Sequence, residues 1–136
     1  MAKIALILLC HKDPEAIIAQ ANRLTAVGDF VSIHFDAGSK YDDFQHIRSA
    51  LKDNPNVTSA KKRVKCGWAE WSLVQATLNA IEAALDSFPK ASHFYMVSGD
   101  CMSIKSYGYM RNFLDNSDVD YIESFVFLKV TGLRLE

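Results

Sequence analysis

Lys3 to Cys10 (KIALILLC) is an unbroken apolar run, the pattern of a strand covered on both faces as in a parallel sheet. Polar His11 and Lys12 end it, and a helical pattern follows. Asp13 and Pro14 read as N-cap and first helical residue, Ile17, Ile18, Ala21 and Leu24 recur at helical spacing, and Gly28 closes the element. Asp29 to Asp36 (DFVSIHFD) then alternates Phe30, Ser32 and His34 with Val31, Ile33 and Phe35, which predicts a second strand ending in a carboxylate. Strand, helix and strand at this spacing form a βαβ unit, so the two strands are expected to be parallel with a right-handed crossover.

Beyond the turn at Gly38-Ser39, a weaker helical stripe of Phe44, Ile47, Arg48 and Leu51 predicts a helix over about 41–52. Asn54-Pro55-Asn56 breaks it, and Val57 to Ala60 reads as a short third strand. The longest helix is predicted from Ala69 to Phe88, with Trp71, Val74, Leu78, Ile81 and Leu85 as its stripe. Next comes a short apolar run, Phe94 to Val97, read as a buried strand that stops at Ser98-Gly99-Asp100. Ser106 is a good N-cap for a helix over 107–114. Val119 to Phe127 (VDYIESFVF) is expected to be a fifth strand, and the residues after it carry no cap or turn that closes a sheet, which reads as truncation. The predicted fold is thus a single α/β domain over 1–136, Rossmann-like, with a mostly parallel sheet and helices on both faces.

Composition narrows the classes without choosing among them. The chain has 136 residues, 49% of them hydrophobic, and a formal net charge of −1, so neither nucleic acid nor a membrane surface is an expected partner. The apolar run at Ile4 to Cys10 is too short for a membrane span and has no cleavage site after it, so a cytoplasmic location is expected. Cys10, Cys66 and Cys101 are widely spaced and odd in number, which indicates neither a disulfide framework nor a CxxC metal site.

The chemistry gathers at strand ends. His11-Lys12 follow the first strand, Asp36 the second and Ser98-Gly99-Asp100 the fourth, and the basic run Lys61-Lys62-Arg63 follows the third. Ligands of open α/β sheets collect beyond the carboxyl ends of the strands. Carboxylates for hydroxyl groups and cations for phosphates on one edge are the pairing that a sugar nucleotide requires. The chain lacks GxGxxG, GxxxxGK[ST], HExxH and GxSxG, which argues against dinucleotide oxidoreductases, P-loop enzymes, zincins and α/β-hydrolases. His34, inside a strand, reads as a hydrogen-bonded core residue. Asp118 and Asp120 form a DxD string, but they precede their strand and so fall at the opposite edge, and no metal site is expected.

The strings HKDP, IHFDAGSK, GWAEWSLVQATLNAI, VSGDCMSIKS and DYIES occur in the order and at about the spacing of one family. In them the chain resembles the N-terminal half of the core-2/I-branching β-1,6-N-acetylglucosaminyltransferases, a family that includes peptide O-xylosyltransferases. The resemblance implies a GT-A-like domain that takes a UDP-sugar as donor, needs no cofactor or DxD-bound metal, and transfers the sugar with inversion to a glycan acceptor. Carried onto this sequence, it places Asp36 at the uridine, the backbone near Leu9 and His11 along the same pocket, and Arg63 with Trp68 at the nucleotide end, beside Lys62. It also places the catalytic carboxylate and the main diphosphate-binding pair downstream of residue 136. Two departures stand out: Trp68-Ala69-Glu70 replaces the usual W-G-G, and in place of S-G-x-D-Y-P-L this chain has Asp100 one position early, Cys101 at the aspartate and Ser103 at the proline. Two other readings share the strand and helix pattern. One is a non-catalytic nucleotide-binding or scaffolding module, dimeric to cover apolar surface; the other is a flavodoxin-like regulatory domain, which gives no reason for KKR or GWAEWS.

Overall fold

The computed structural model describes residues 1–120. Its elements run β1 (Ile4–Cys10), α1 (Pro14–Thr25), β2 (Phe30–Phe35), α2 (Tyr41–Leu51), β3 (Val57–Ser59), α3 (Trp71–Ser87), β4 (His93–Ser98) and α4 (Tyr107–Asp115). The strands form one parallel sheet in the order β3-β2-β1-β4, so the chain winds outward from β1 to one side, then crosses to the other. This is the expected α/β fold. The expected fifth strand, apart from Val119 and Asp120, lies outside the described residues. Among the described residues no helix is long and apolar enough to cross a membrane.

The two faces of the sheet are packed differently. On one, Leu6, Leu8, Val31 and Phe35 meet Ile17 and Leu24 of α1 and Ile47 and Leu51 of α2, with Met110 and Leu114 of α4 against the same cluster. On the other, α3 is the one helix among the described residues that covers Ala5 and Ile7, joined by Phe88, whose ring stacks on Phe30 at 4.6 Å between centroids.

Two expectations need correction here. The face that α3 turns to the sheet is made of Ala76, Ala80, Ala83 and Ala84, while Trp71, Val74, Leu78 and Leu85 of the larger stripe are exposed. Small side chains let the helix approach closely enough for the Ser32 hydroxyl to donate to the Ala80 carbonyl at 2.7 Å, which a row of leucines would prevent. β4 was expected to be buried; among the described residues it pairs with β1 alone, and Phe94, Tyr95 and Met96 are exposed. An apolar run alone does not tell a central strand from an edge strand.

The caps divide as well. Ser106 accepts from the Tyr109 amide at 3.2 Å as an N-cap should. Asp13 occupies the N-cap of α1 in a left-handed conformation (φ 53) without a side-chain cap, and its carbonyl accepts from Ile17 instead.

Candidate nucleotide-sugar site at the strand ends

The carboxyl ends of β1, β2 and β4 lie side by side, because Leu9 is in register with His34 on one flank and Ser98 on the other. Asp36 leaves β2 here. Its amide donates to the Cys10 carbonyl at 2.9 Å. Its Oδ1 accepts from the Gly38 amide at 2.7 Å, an Asx turn, and from the Cys66 amide at 3.3 Å. Both bonds fall on one oxygen; Oδ2 makes no hydrogen bond among the described residues. The carboxylate is therefore held by the backbone with half of its acceptor capacity open.

The segment 61–67 is stitched to the end of β2 by several bonds. Val64 donates its amide to His34 Nε2 at 3.0 Å and accepts from the Ala37 amide at 3.1 Å, while Arg63 donates to the Asp36 carbonyl at 3.4 Å. His34 is buried, as a core histidine was expected to be, and its acceptor nitrogen sets the loop. Burial holds its imidazole below the ordinary value, the Arg63 cation adds to that effect and Asp36 opposes it. A ring kept neutral can accept from Val64; a protonated one cannot.

The remaining predicted residues sort around this core. Arg63 lies over the Phe44 ring at 3.8 Å and near Tyr41 at 5.8 Å, so its guanidinium is turned toward α2. Lys62 is exposed and is fixed through its carbonyl, which accepts from Asn79 at 3.0 Å. Leu9 gives its carbonyl to the Gly99 amide at 3.0 Å, and His11 is exposed just past it. Asp100 pairs with Lys12 at 3.7 Å across the exposed lip, an ion pair of small energetic weight. Trp68 is 93% exposed and packs on none of these residues. The structure thus brings Asp36, Arg63, Leu9 and His11 to one edge, sets Lys12 with Asp100 on its β4 side, and leaves Trp68 apart.

Sequence reasoning passed over Lys65, although it stands only two residues beyond the basic run. Its aliphatic stem crosses Gly38, where an added Cβ would lie 3.0 Å from Lys65 Cγ and 3.2 Å from Asp36 Oδ1. The stem of Lys65 therefore passes beside the anchored carboxylate. On the β4 side, a Cβ at Gly99 would lie 2.9 Å from Ile17 Cδ1 and 3.3 Å from Cys10 Cβ, so a side chain there would displace Ile17. The Cys101 sulfur accepts from the Ser98 amide at 3.3 Å and lies 3.2 Å from its hydroxyl, and these bonds lower the thiol's pKa. Buried Cys10, by contrast, is pushed up to about 12.

The first departure in sequence has a structural counterpart. Ala69 takes φ 57, a conformation that glycine adopts freely and alanine only under strain. Asp118 and Asp120 follow α4, whose C-terminal Asp115 accepts from the Ala2 amide at the start of β1, the edge opposite Asp36.

Residues 4–135 match the family described as Core-2/I-Branching enzyme. The chain is also 29% identical over 103 residues to the human beta-1,3-galactosyl-O-glycosyl-glycoprotein beta-1,6-N-acetylglucosaminyltransferase 3. That alignment takes in 76% of this chain but only 24% of the relative. With a match over nearly its whole length, and a parallel α/β sheet that carries an anchored strand-end aspartate, the chain belongs to the Core-2/I-Branching enzyme family.

Proposed function

We propose that this chain is the donor-binding part of a UDP-sugar-dependent inverting glycosyltransferase, acting in N-acetylglucosaminyl or xylosyl transfer to a glycan acceptor. The observation that carries the reading is Asp36, a carboxylate fixed by two backbone amides at the carboxyl end of the sheet with its second oxygen open. A preorganised acceptor of this kind suits an N–H or hydroxyl of a nucleoside, because little ordering is left to be done on binding. Leu9 and His11 form the adjoining wall, Lys62 and Arg63 supply positive charge, exposed Trp68 is the aromatic for the nucleotide end, and Asp100, paired with Lys12, is assigned to the sugar side.

In the chemistry this reading assigns to the complete enzyme, a carboxylate base takes the proton of the acceptor hydroxyl while cations stabilise the departing UDP. The donor is a substrate and no cofactor or metal is required. Titration with UDP, UDP-N-acetylglucosamine and UDP-xylose, each with and without manganese, tests this. Binding that is unchanged by the metal is expected, and the order of the sugars identifies the donor. A strict metal requirement, or a preference for adenine nucleotides, contradicts the assignment.

A second reading has one observation in its favour. Trp71, Val74, Leu78 and Leu85 form an outward apolar face on α3, with Phe94 and Met96 exposed on β4, which suits a scaffolding module that covers this surface with a second copy. Sedimentation velocity decides: a concentration-independent monomer removes this reading.

A further inference from the structure

A second cleft, of about 520 Å³, opens between α2 and β3 on the flank of the sheet. Arg48, Lys52, Lys61 and Arg63 line it together with Thr58 and Ser59, and no carboxylate does. Arg48 and Arg63 rest against one ring, with guanidinium carbons 5.5 and 3.8 Å from the Phe44 centroid. Neither has a carboxylate partner among the described residues, whereas Lys61 pairs with Asp86. The ring attracts each guanidinium and holds both in place, so with no carboxylate between them they present a fixed positive surface to an anion.

β3 supplies the rest of the cleft. The Asn56 carbonyl and the Ala60 amide are turned toward β2, bonding to Val31 and Ile33, so by the alternation of a strand the backbone of Ser59 faces outward beside its own hydroxyl, while the Thr58 hydroxyl is taken by Ser87 of α3 at 3.1 Å. Cations spaced along a groove, with the Ser59 hydroxyl and amide between them, match a chain of sugars that carries acidic groups. Arg63, which also bonds the Asp36 carbonyl, joins this groove to the strand-end site.

We propose that the α2–β3 cleft binds the acidic groups, sulfate or carboxylate, of an anionic oligosaccharide, and so selects a negatively charged acceptor. The proposal rests on the glycosyltransferase reading for its choice of ligand, and not for the site itself. The test is calorimetry on the full chain with a fully sulfated heparin-derived tetrasaccharide, its desulfated N-acetylated counterpart, and each again in the presence of saturating UDP. The sulfated sugar is expected to bind and the neutral one to bind at least tenfold more weakly. Arg48→Ala with Lys52→Ala lowers sulfated-sugar affinity by about tenfold or more, on the scale of one or two charge-assisted hydrogen bonds. Arg48→Lys with Lys52→Arg keeps it within a few-fold. Removing the same charge elsewhere, with Arg23→Ala and Lys90→Ala, leaves affinity within about twofold. Equal losses in the two alanine pairs mean general charge attraction and overturn the proposal, as does displacement of the sulfated sugar by UDP, which would make the cleft part of the donor site. Loss of UDP binding alone, with the tetrasaccharide still held through Arg48 and Lys52, refutes the donor reading and leaves the cleft standing.

Discussion

Ala69 shows what a single residue does at this site. It holds φ 57 in the turn between the basic loop and α3, where the left-handed backbone brings Cβ against a carbonyl oxygen. Ala69→Gly removes that clash and gives back part of the gain as unfolded-chain entropy, so it is expected to stabilise the protein by about 0.5–1 kcal/mol in urea denaturation. A loss of stability would show that the turn is not strained. His34 sets a pH dependence. Its folded pKa lies below the ordinary imidazole value of roughly 6.5, so the unfolded chain takes up a proton first as pH falls. Stability is full above that value and declines as the pH drops toward the folded pKa. His34→Gln is expected to flatten this acid limb, and an unchanged limb would exclude His34 as its source.

Among elements, α3 carries the clearest lesson about what a sequence makes legible. Its position and length follow from periodicity, but the direction it faces does not. Two stripes satisfy helical spacing, one of large apolar residues and one of alanines, and the close approach to Ser32 selects the alanines. Ala80→Leu is therefore expected to cost about 1–3 kcal/mol through overpacking, while Leu78→Ala, at a site 47% exposed, costs less than about 1 kcal/mol. The reverse order in thermal or urea unfolding would mean that the large stripe is the buried one. β4 misled for a related reason, since nothing in Phe94–Val97 records whether a strand has one neighbour or two. The strand-end residues were legible because a carboxylate after an apolar run has few other places to go, as Asp36 demonstrates. Lys65 was hidden because its role depends on Gly38 lying beneath its stem, a contact that no spacing rule encodes.

At the scale of the whole molecule, a buried ion pair ties α4 to the foot of the sheet. Arg111 of α4 reaches Asp29 at 3.0 Å, with Asp29 fully buried and Arg111 17% exposed, and the Ile4 amide donates to the same carboxylate at 3.2 Å. Asp29 Oδ2 and Arg111 Nε are buried without hydrogen bonds, so the pair is not fully satisfied. Arg111→Met leaves a buried carboxylate uncompensated and is expected to cost about 3–5 kcal/mol, whereas adding Asp29→Asn recovers much of the loss. Equal stability of the single and double variants would show that the pair is not coupled. With α4 fixed at that edge, the carboxyl ends of the strands stand at the opposite one, where ligands of open α/β sheets collect.

The central claim is that Asp36 receives the nucleoside of the donor. Calorimetric titration of the full chain with UDP, wild type against Asp36→Ala, tests it most directly, with the urea midpoint of each variant measured alongside. The predicted result is UDP binding that weakens by about tenfold or more in a variant that remains folded, the scale of a lost hydrogen bond to a charged group. Equal UDP affinity in the two folded proteins would contradict it.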